Sequence, residues 1–110
     1  MMFESDDNAN FGRNFKLFIT RLNSNYTDKL KKMGEELVVM KGQKYYKIGI
    51  QKIGAPKGHY SVHCFVDKNT GLIYKAASWR APAKGSRASI HDPETYKNAD
   101  VYGGWLYRYN

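Results

Sequence analysis

A single cysteine, Cys64, stands in the 110 residues of the chain, and its isolation narrows the chemistry at once. No internal disulfide can form, and one thiol without clustered partners does not hold a structural zinc. Histidine is scarce as well: His59, His63 and His91 show nothing like a His-Glu-x-x-His spacing, so no metal site is expected. Neighbours such as His63 with Cys64, or His91 with Asp92, point apart in an extended strand and do not make a nucleophile and its base. The chain therefore reads as a non-enzyme, with no catalytic residue and no cofactor. It also lacks an apolar run of about 18 residues and a charged-then-apolar leader, so neither a membrane span nor a signal peptide is expected, and the protein should be cytosolic.

Negative charge is the other shortage. Ten Asp and Glu face 18 Lys and Arg, a net charge of +8. The imbalance is local: Leu37 to Ile90 holds ten basic residues (Lys41, Lys44, Lys47, Lys52, Lys57, Lys68, Lys75, Arg80, Lys84, Arg87) and one acidic residue, Asp67. That segment alone carries +9. It is interleaved with Tyr45, Tyr46, Tyr60, Phe65, Tyr74 and Trp79, and cations that release counterions beside rings that stack on bases are what a polyanion-binding surface needs. The competing reading is that the lysines occupy exposed edge-strand positions, where they discourage aggregation, and that the tyrosines are core.

What is present in quantity is β-forming sequence. Tyr60 to Val66 and Leu72 to Trp79 are rich in β-branched and aromatic residues and flank Asp67-Lys68-Asn69-Thr70-Gly71, a stretch suited to closing an antiparallel hairpin. With Val66 placed opposite Leu72, one face carries Tyr60, Val62, Cys64, Val66, Leu72, Tyr74 and Ala76 and is expected to be core. The other carries Ser61, His63, Phe65, Ile73, Lys75 and Ala77. This second face is either a contact surface or a layer in which Phe65 and Ile73 pack under a helix with His63 at the border, and a slip of one residue exchanges the two. Leu37 to Met40 and Lys44 to Gln51 form a second hairpin around Lys41-Gly42-Gln43. In it Tyr46, Ile48 and Ile50 alternate with Tyr45, Lys47, Gly49 and Gln51, so one side is expected to be buried and the other wet.

Two basic loops follow from this arrangement. Gly54-Ala55-Pro56-Lys57-Gly58 precedes the strand at Tyr60, and Arg80 to Arg87 follows the strand ending at Trp79. Pro82 withholds a donor and biases Ala81 to extended geometry, so pairing is expected to stop there. Lys84, Gly85, Ser86 and Arg87 offer two cations, a hydroxyl and a close backbone approach, without the spacing of a Walker A loop. Antiparallel alternation puts both loops at one end of the sheet, where they can clamp one ligand. The expected contacts are Lys57, His59, Trp79, Arg80, Lys84 and Arg87, with Lys75 on the sheet face.

The run His63-Cys64-Phe65-Val66-Asp67, Thr70-Gly71, Tyr74-Lys75-Ala76-Ala77-Ser78-Trp79, Ala81-Pro82-Ala83-Lys84-Gly85 and Arg87 resembles a motif of small, functionally uncharacterised proteins of tailed bacteriophages, many of them marine. The resemblance extends to Lys44-Tyr45-Tyr46-Lys47 and Gly103-Gly104-Trp105-Leu106-Tyr107. It implies a viral origin and a place in the host cytoplasm or the virion. It brings no activity and no catalytic residues.

Outside this centre, residues 1–12 are acidic and Asn-rich and read as a flexible arm, whose Glu4, Asp6 and Asp7 could lie over the basic surface. From Asn14, a candidate cap, Phe15, Phe18, Ile19, Leu22, Tyr26, Leu30 and Met33 follow helical spacing to a stop at Gly34; Asn23-Ser24-Asn25 marks a possible break. Near the end, Asp92-Pro93 starts a short helix, and Asp100 to Tyr109 is expected to be a last strand closing the sheet with Trp105 and Tyr107 on one side. At 110 residues, one domain over 13–110 is expected.

The fold class is thus α+β: an N-terminal amphipathic helix packed on an antiparallel sheet of about five strands, with a short helix before the last strand. The expected function is non-catalytic nucleic-acid binding, to DNA or RNA, through the basic and aromatic surface. The alternative is a protein-interaction module, a virion component or an inhibitor of a host protein, that uses the same cations on an acidic partner and has Trp79 or Trp105 as its apolar anchor.

Overall fold

The helical spacing of the N-terminal apolar residues becomes one long helix, α1 (Met2–Met33), in the computed structural model, which describes residues 2–99 and 104–107. The helix starts well before Asn14, so residues 2–12, read from composition as a separate arm, are its first turns. The acidic side chains of Glu4, Asp6 and Asp7 lie outside the described residues. Nor does it break at Asn23-Ser24-Asn25: the Asn25 amide, which in isolation competes with the helix backbone, instead donates to the Ala99 carbonyl at 3.0 Å. Gly34 ends the helix as expected, at φ +69°, its N–H bonded to the Lys31 carbonyl.

Five strands follow: β1 (Glu35–Lys41), β2 (Tyr45–Lys52), β3 (Ser61–Asp67), β4 (Leu72–Lys75) and β5 (Ala88–Ser89). They form an antiparallel meander in which each strand pairs with the next in sequence. The α+β class and the two hairpins are therefore as expected. Phe18, Leu22, Tyr26 and Leu30 bury one stripe of α1 against Ile48, Cys64, Val66 and Ile73. At roughly 1.5–3 kcal/mol per fully buried large side chain, this stripe dominates what holds helix to sheet.

Two details of β3 decide which side chains face α1. Ile48 pairs with Cys64 but Gly49 pairs with Val62, so His63 is the extra residue of a β-bulge. The bulge turns His63 toward the helix, where its Nε2 lies 2.7 Å from the Tyr26 hydroxyl, and leaves Val62 opposite Gly49 on the far face. Farther along, Val66 pairs with Ile73, Phe65 with Tyr74 and Cys64 with Lys75, one residue from the expected register. The turn sets this. The Asp67 carboxylate accepts the amides of Asn69 and Thr70 at 2.7 and 2.9 Å, and the Gly71 N–H closes on the Asp67 carbonyl. Gly71 has φ +76°, and a Cβ there would meet Ile90 and His91 within 3 Å, so only glycine fits.

The consequence is a corrected division of the hairpin. Ile73 joins Cys64 and Val66 in the core, whereas Tyr74 joins Phe65 on the face away from α1, because directly opposed residues share a face. Lys75 takes the register of Cys64 and so sits on the helix side of the sheet, not on the open face.

After β5, Asp92 caps a 3₁₀ turn at Pro93–Tyr96 by accepting the Glu94 N–H, which is the short helix that Asp92-Pro93 signals. The expected closing strand is not formed where the chain is described: Gly104–Tyr107 is a second 3₁₀ turn, and residues 100–103 and 108–110 lie outside the described residues. Trp105 and Leu106 are buried in the helix-side core. The Trp105 indole donates to the Tyr26 hydroxyl at 3.0 Å and lies 3.3 Å from His63 Nε2, so helix, bulge and tail meet in one buried polar cluster.

Candidate nucleic-acid interface

The face of the sheet opposite α1 carries Met40 from β1, Tyr45, Lys47 and Gly49 from β2, Val62 and Phe65 from β3, and Tyr74 from β4. Strand alternation places them there, and among the described residues no helix covers them. Tyr45 meets Phe65 and Tyr74 edge to face, with ring centroids 5.8 and 6.2 Å apart. This packing buries Phe65 almost completely, although it lies outside the helix-side core.

At the other end of the same face a second ring pair forms around Lys47. Tyr60 stacks on Trp79, centroids 5.2 Å apart and planes within 28°. The Lys47 ammonium lies 4.2 Å from the Trp79 centroid, 5.6 Å from that of Tyr60 and 5.9 Å from that of Phe65, and donates to the Tyr60 hydroxyl at 3.3 Å. Cation and rings attract through the ring quadrupole. Gly49 makes the arrangement possible: a Cβ there would come within 2.9 Å of the Ser61 carbonyl and 3.0 Å of the Tyr60 ring. Trp79 nevertheless remains 48% exposed. A second cation, Lys44, lies 5.5 Å from the Tyr45 ring centroid.

Local turn chemistry puts Trp79 in place. Ala76 bridges to Pro82, and the amides of Ala77 and Ser78 both bond the Ala81 carbonyl. The Ser78 hydroxyl accepts the amides of Arg80 and Ala81, each at 3.2 Å. The tip of this tight turn is therefore Ser78-Trp79-Arg80.

The residues expected at the site divide accordingly. Trp79 is in the cluster, and Arg80 is exposed beside it at the turn tip. Lys57 and His59 are exposed in the loop leading into Tyr60, where the His59 N–H bonds the Pro56 carbonyl. The two loops thus do meet, through the Tyr60 and Trp79 rings. Lys84 and Arg87 sit elsewhere: after Pro82 the chain runs back along β4, Ala83 N–H bonding the Lys75 carbonyl and Arg87 N–H bonding the Ile73 carbonyl, each at 2.7 Å. They line the β4 edge behind the tip. Lys75 belongs to the opposite side, and Tyr46 packs under α1 against Phe15, centroids 4.4 Å apart.

Lys47 itself was not among the expected contacts. Its signal is the alternation Tyr45-x-Lys47-x-Gly49, which marks one face of β2 but does not say that rings from β3 and the turn at Trp79 fold over that face.

Other groups contribute structure. Burial pushes the Cys64 thiol far above its ordinary range, so it stays protonated. Burial also acts to raise the Asp67 carboxyl, but the Thr70 and Asn69 amides, the Thr70 hydroxyl and the Lys44 charge together hold it below the usual carboxylate range. Among the described residues no three His, Cys, Asp or Glu side chains gather as a metal-holding group, and no helix is long and apolar enough to cross a membrane.

The described residues thus form an α+β protein with a helix packed on one face of its sheet and with rings and lysines on the other. More particularly, this chain belongs to a family of unknown function (DUF7717), whose family model matches residues 4–108. The chain matches none of the curated proteins and none of the solved structures with which it was compared.

Proposed function

We propose that this chain is a non-catalytic protein that binds single-stranded nucleic acid across the helix-free face of its sheet. The observation that carries the reading is the half-exposed Trp79 stacked on Tyr60 with the Lys47 ammonium against both rings. A base can stack on the open side of Trp79 while Lys47 meets the adjoining phosphate, and Tyr45 with Tyr74 offers further ring surface on the same face. Stacking needs unpaired bases, which favours single strands over duplex. Arg80, Lys57 and His59 border the rings, and Lys84 extends positive charge along the β4 edge. The likeness to tailed-phage proteins supports a place in an infected bacterial cytoplasm.

The test is a titration of labelled single-stranded DNA, RNA and duplex DNA by fluorescence anisotropy, with tryptophan emission followed from low to physiological salt. Single strands should bind more tightly than duplex and quench Trp79, and Trp79→Ala should weaken binding about tenfold, since one base stack is worth roughly 1–3 kcal/mol. Changing Lys84 and Arg87 together to Glu should flatten the dependence on log salt.

Binding confined to low salt and equal for every polyanion would overturn the proposal. The second reading, an acidic host or virion protein as partner, is favoured by the exposed Arg80 beside Trp79, an aromatic anchor with a cation at its rim. It predicts salt-tolerant capture of one protein that still depends on Trp79.

A further inference from the structure

The two edges of the sheet are built differently. At the β5 edge the strand is two residues long, and the Thr95 hydroxyl both accepts the Ser89 N–H at 2.9 Å and donates to the Ser89 carbonyl at 3.1 Å. That edge is capped. β1 is seven residues long and carries no proline and no bulge, so it lacks several of the devices that keep edge strands from pairing.

Among the described strands β1 has β2 as its one neighbour, and the backbone groups that β2 leaves unpaired can be assigned. Ile53 N–H bonds the Gly34 carbonyl and Gly42 N–H bonds the Tyr45 carbonyl. Hydrogen-bonded and non-bonded pairs alternate along an antiparallel ladder. Gly34, Glu36, Val38, Met40 and Gly42 therefore bond toward β2, while Glu35, Leu37, Val39 and Lys41 present N–H and C=O groups to the open edge.

The sequence Glu35-Glu36-Leu37-Val38-Val39-Met40-Lys41 complements itself when reversed. Antiparallel pairing of two copies about Val38 sets Glu35 opposite Lys41 and Leu37 opposite Val39. These are the edge-facing residues, so the same register that satisfies the backbone also opposes unlike charges and joins apolar side chains. Shifting the centre to Leu37 or Val39 keeps the backbone in phase but removes the Glu35 to Lys41 opposition. Val39 is 43% exposed, and this pairing covers it with Leu37 of the second copy.

We infer that β1 is a self-association edge, and that two copies join through it in antiparallel register about Val38. The two-fold axis then runs through the sheet at Val38, perpendicular to it. Both helix-free faces lie on the same side of one continuous sheet, so two Lys47 and Trp79 clusters share one surface. The pairing holds whether or not that surface binds nucleic acid.

Sedimentation velocity of the full chain from low to high micromolar concentration, without nucleic acid, reads this directly. A species of twice the 12.7 kDa chain mass is expected. Val39→Lys should weaken it by about tenfold or more, since charge on an edge strand opposes strand addition. Val39→Pro should abolish it, because the lost N–H faces the open edge and not β2. Circular dichroism checks that each variant is folded. Glu35→Lys and Lys41→Glu should each weaken the dimer, and the two combined should restore it by re-pairing the charges in reverse. A monomer at every concentration, a dimer indifferent to Val39→Lys, or a double exchange no better than its single parents would each overturn the inference.

Discussion

On the helix side of the sheet, Phe18, Tyr26, Trp105, Ile48, Cys64, Val66 and Ile73 form the buried core, with Lys75 at its β4 border; on the other side, Tyr45, Phe65, Tyr74, Tyr60 and Trp79 pack around Lys47. Both faces are ring-rich, so aromatic content does not distinguish them. The distinction is a covering layer. Under α1 the rings close against aliphatic groups, and their polar atoms find protein partners, as Tyr26, His63 and Trp105 do. With no second layer among the described residues, the rings of the open face pack on each other and on the Lys47 ammonium, and one of them stays half in water. The open face keeps an ammonium against its rings, and the covered face holds the fold together.

The comparison can be broken most severely on the covered face. Phe18→Ala should remove about 3–5 kcal/mol of stability, because Phe18 is fully buried between Tyr96 and Trp105 and its loss leaves a cavity. Trp79→Ala on the open face should change stability by about 0.5 kcal/mol or little more, as half-exposed positions do, while its effect appears in binding. Paired urea melts would show whether that asymmetry is real.

Gly49→Ala tests whether the open face is built as tightly as it looks. The added methyl meets the Ser61 backbone and the Tyr60 ring, so a cost of about 1–3 kcal/mol is expected. It should be accompanied by a changed Trp79 emission spectrum, because Tyr60 must shift under the indole. Ordinary stability with unchanged emission would mean that Tyr60 and Trp79 are not held as described.

A smaller loss, about 0.5–1.5 kcal/mol in a urea melt, is expected for Tyr26→Phe, which removes the 3.0 Å acceptor of the buried Trp105 indole N–H and leaves it His63 Nε2 at 3.3 Å. Here the open face should be indifferent, and single-strand binding should survive at temperatures where the variant is folded.

The smallest effect belongs to Asp67, which holds the turn that sets the β3–β4 register. Its folded pKa lies below its ordinary value, so its stabilising contribution is present above the unfolded pKa and is lost as pH falls through the folded one. Acid titration of the melting temperature should therefore show a decline below about pH 4 that is smaller in Asp67→Asn, whose side chain does not titrate there.

Much of this fold is legible in local signals. Gly34 stops a helix, Lys41-Gly42-Gln43 and Asp67 to Gly71 close hairpins, and Asp92-Pro93 opens a 3₁₀ turn, because each depends on residues within a few positions of one another. The strong helical period from Phe15 to Leu30 survives Asn23-Ser24-Asn25 because the tertiary partner of Asn25, the Ala99 carbonyl, lies far along the chain. The early start of α1 is less visible, since residues 2–12 are compositionally poor helix. The expected last strand fails because an alternation of aromatics cannot say whether Trp105 pairs in a sheet or drops onto Tyr26 and His63.

The candidate site divides in the same way. Trp79, Arg80, Lys57 and His59 are recognisable as a basic and aromatic loop pair. The alternation in β2 separates Tyr46 from Lys47 as observed, but that Lys47 lies at the centre of the rings and Lys75 on the other side is not recognisable, because each depends on how β3 and β4 pair.

By itself the sequence determined a basic chain with one amphipathic helix, two central hairpins and a charge excess confined to its middle, since composition, period and turn chemistry are local properties. Only the tertiary structure decided which side chains share a face. A bulge at His63 and a turn held by the Asp67 carboxylate each shift a strand by one residue, and in a structure of period two that is enough to send Tyr74 and Tyr60 to the open surface, where Tyr60 meets Lys47, and Ile73 to the core.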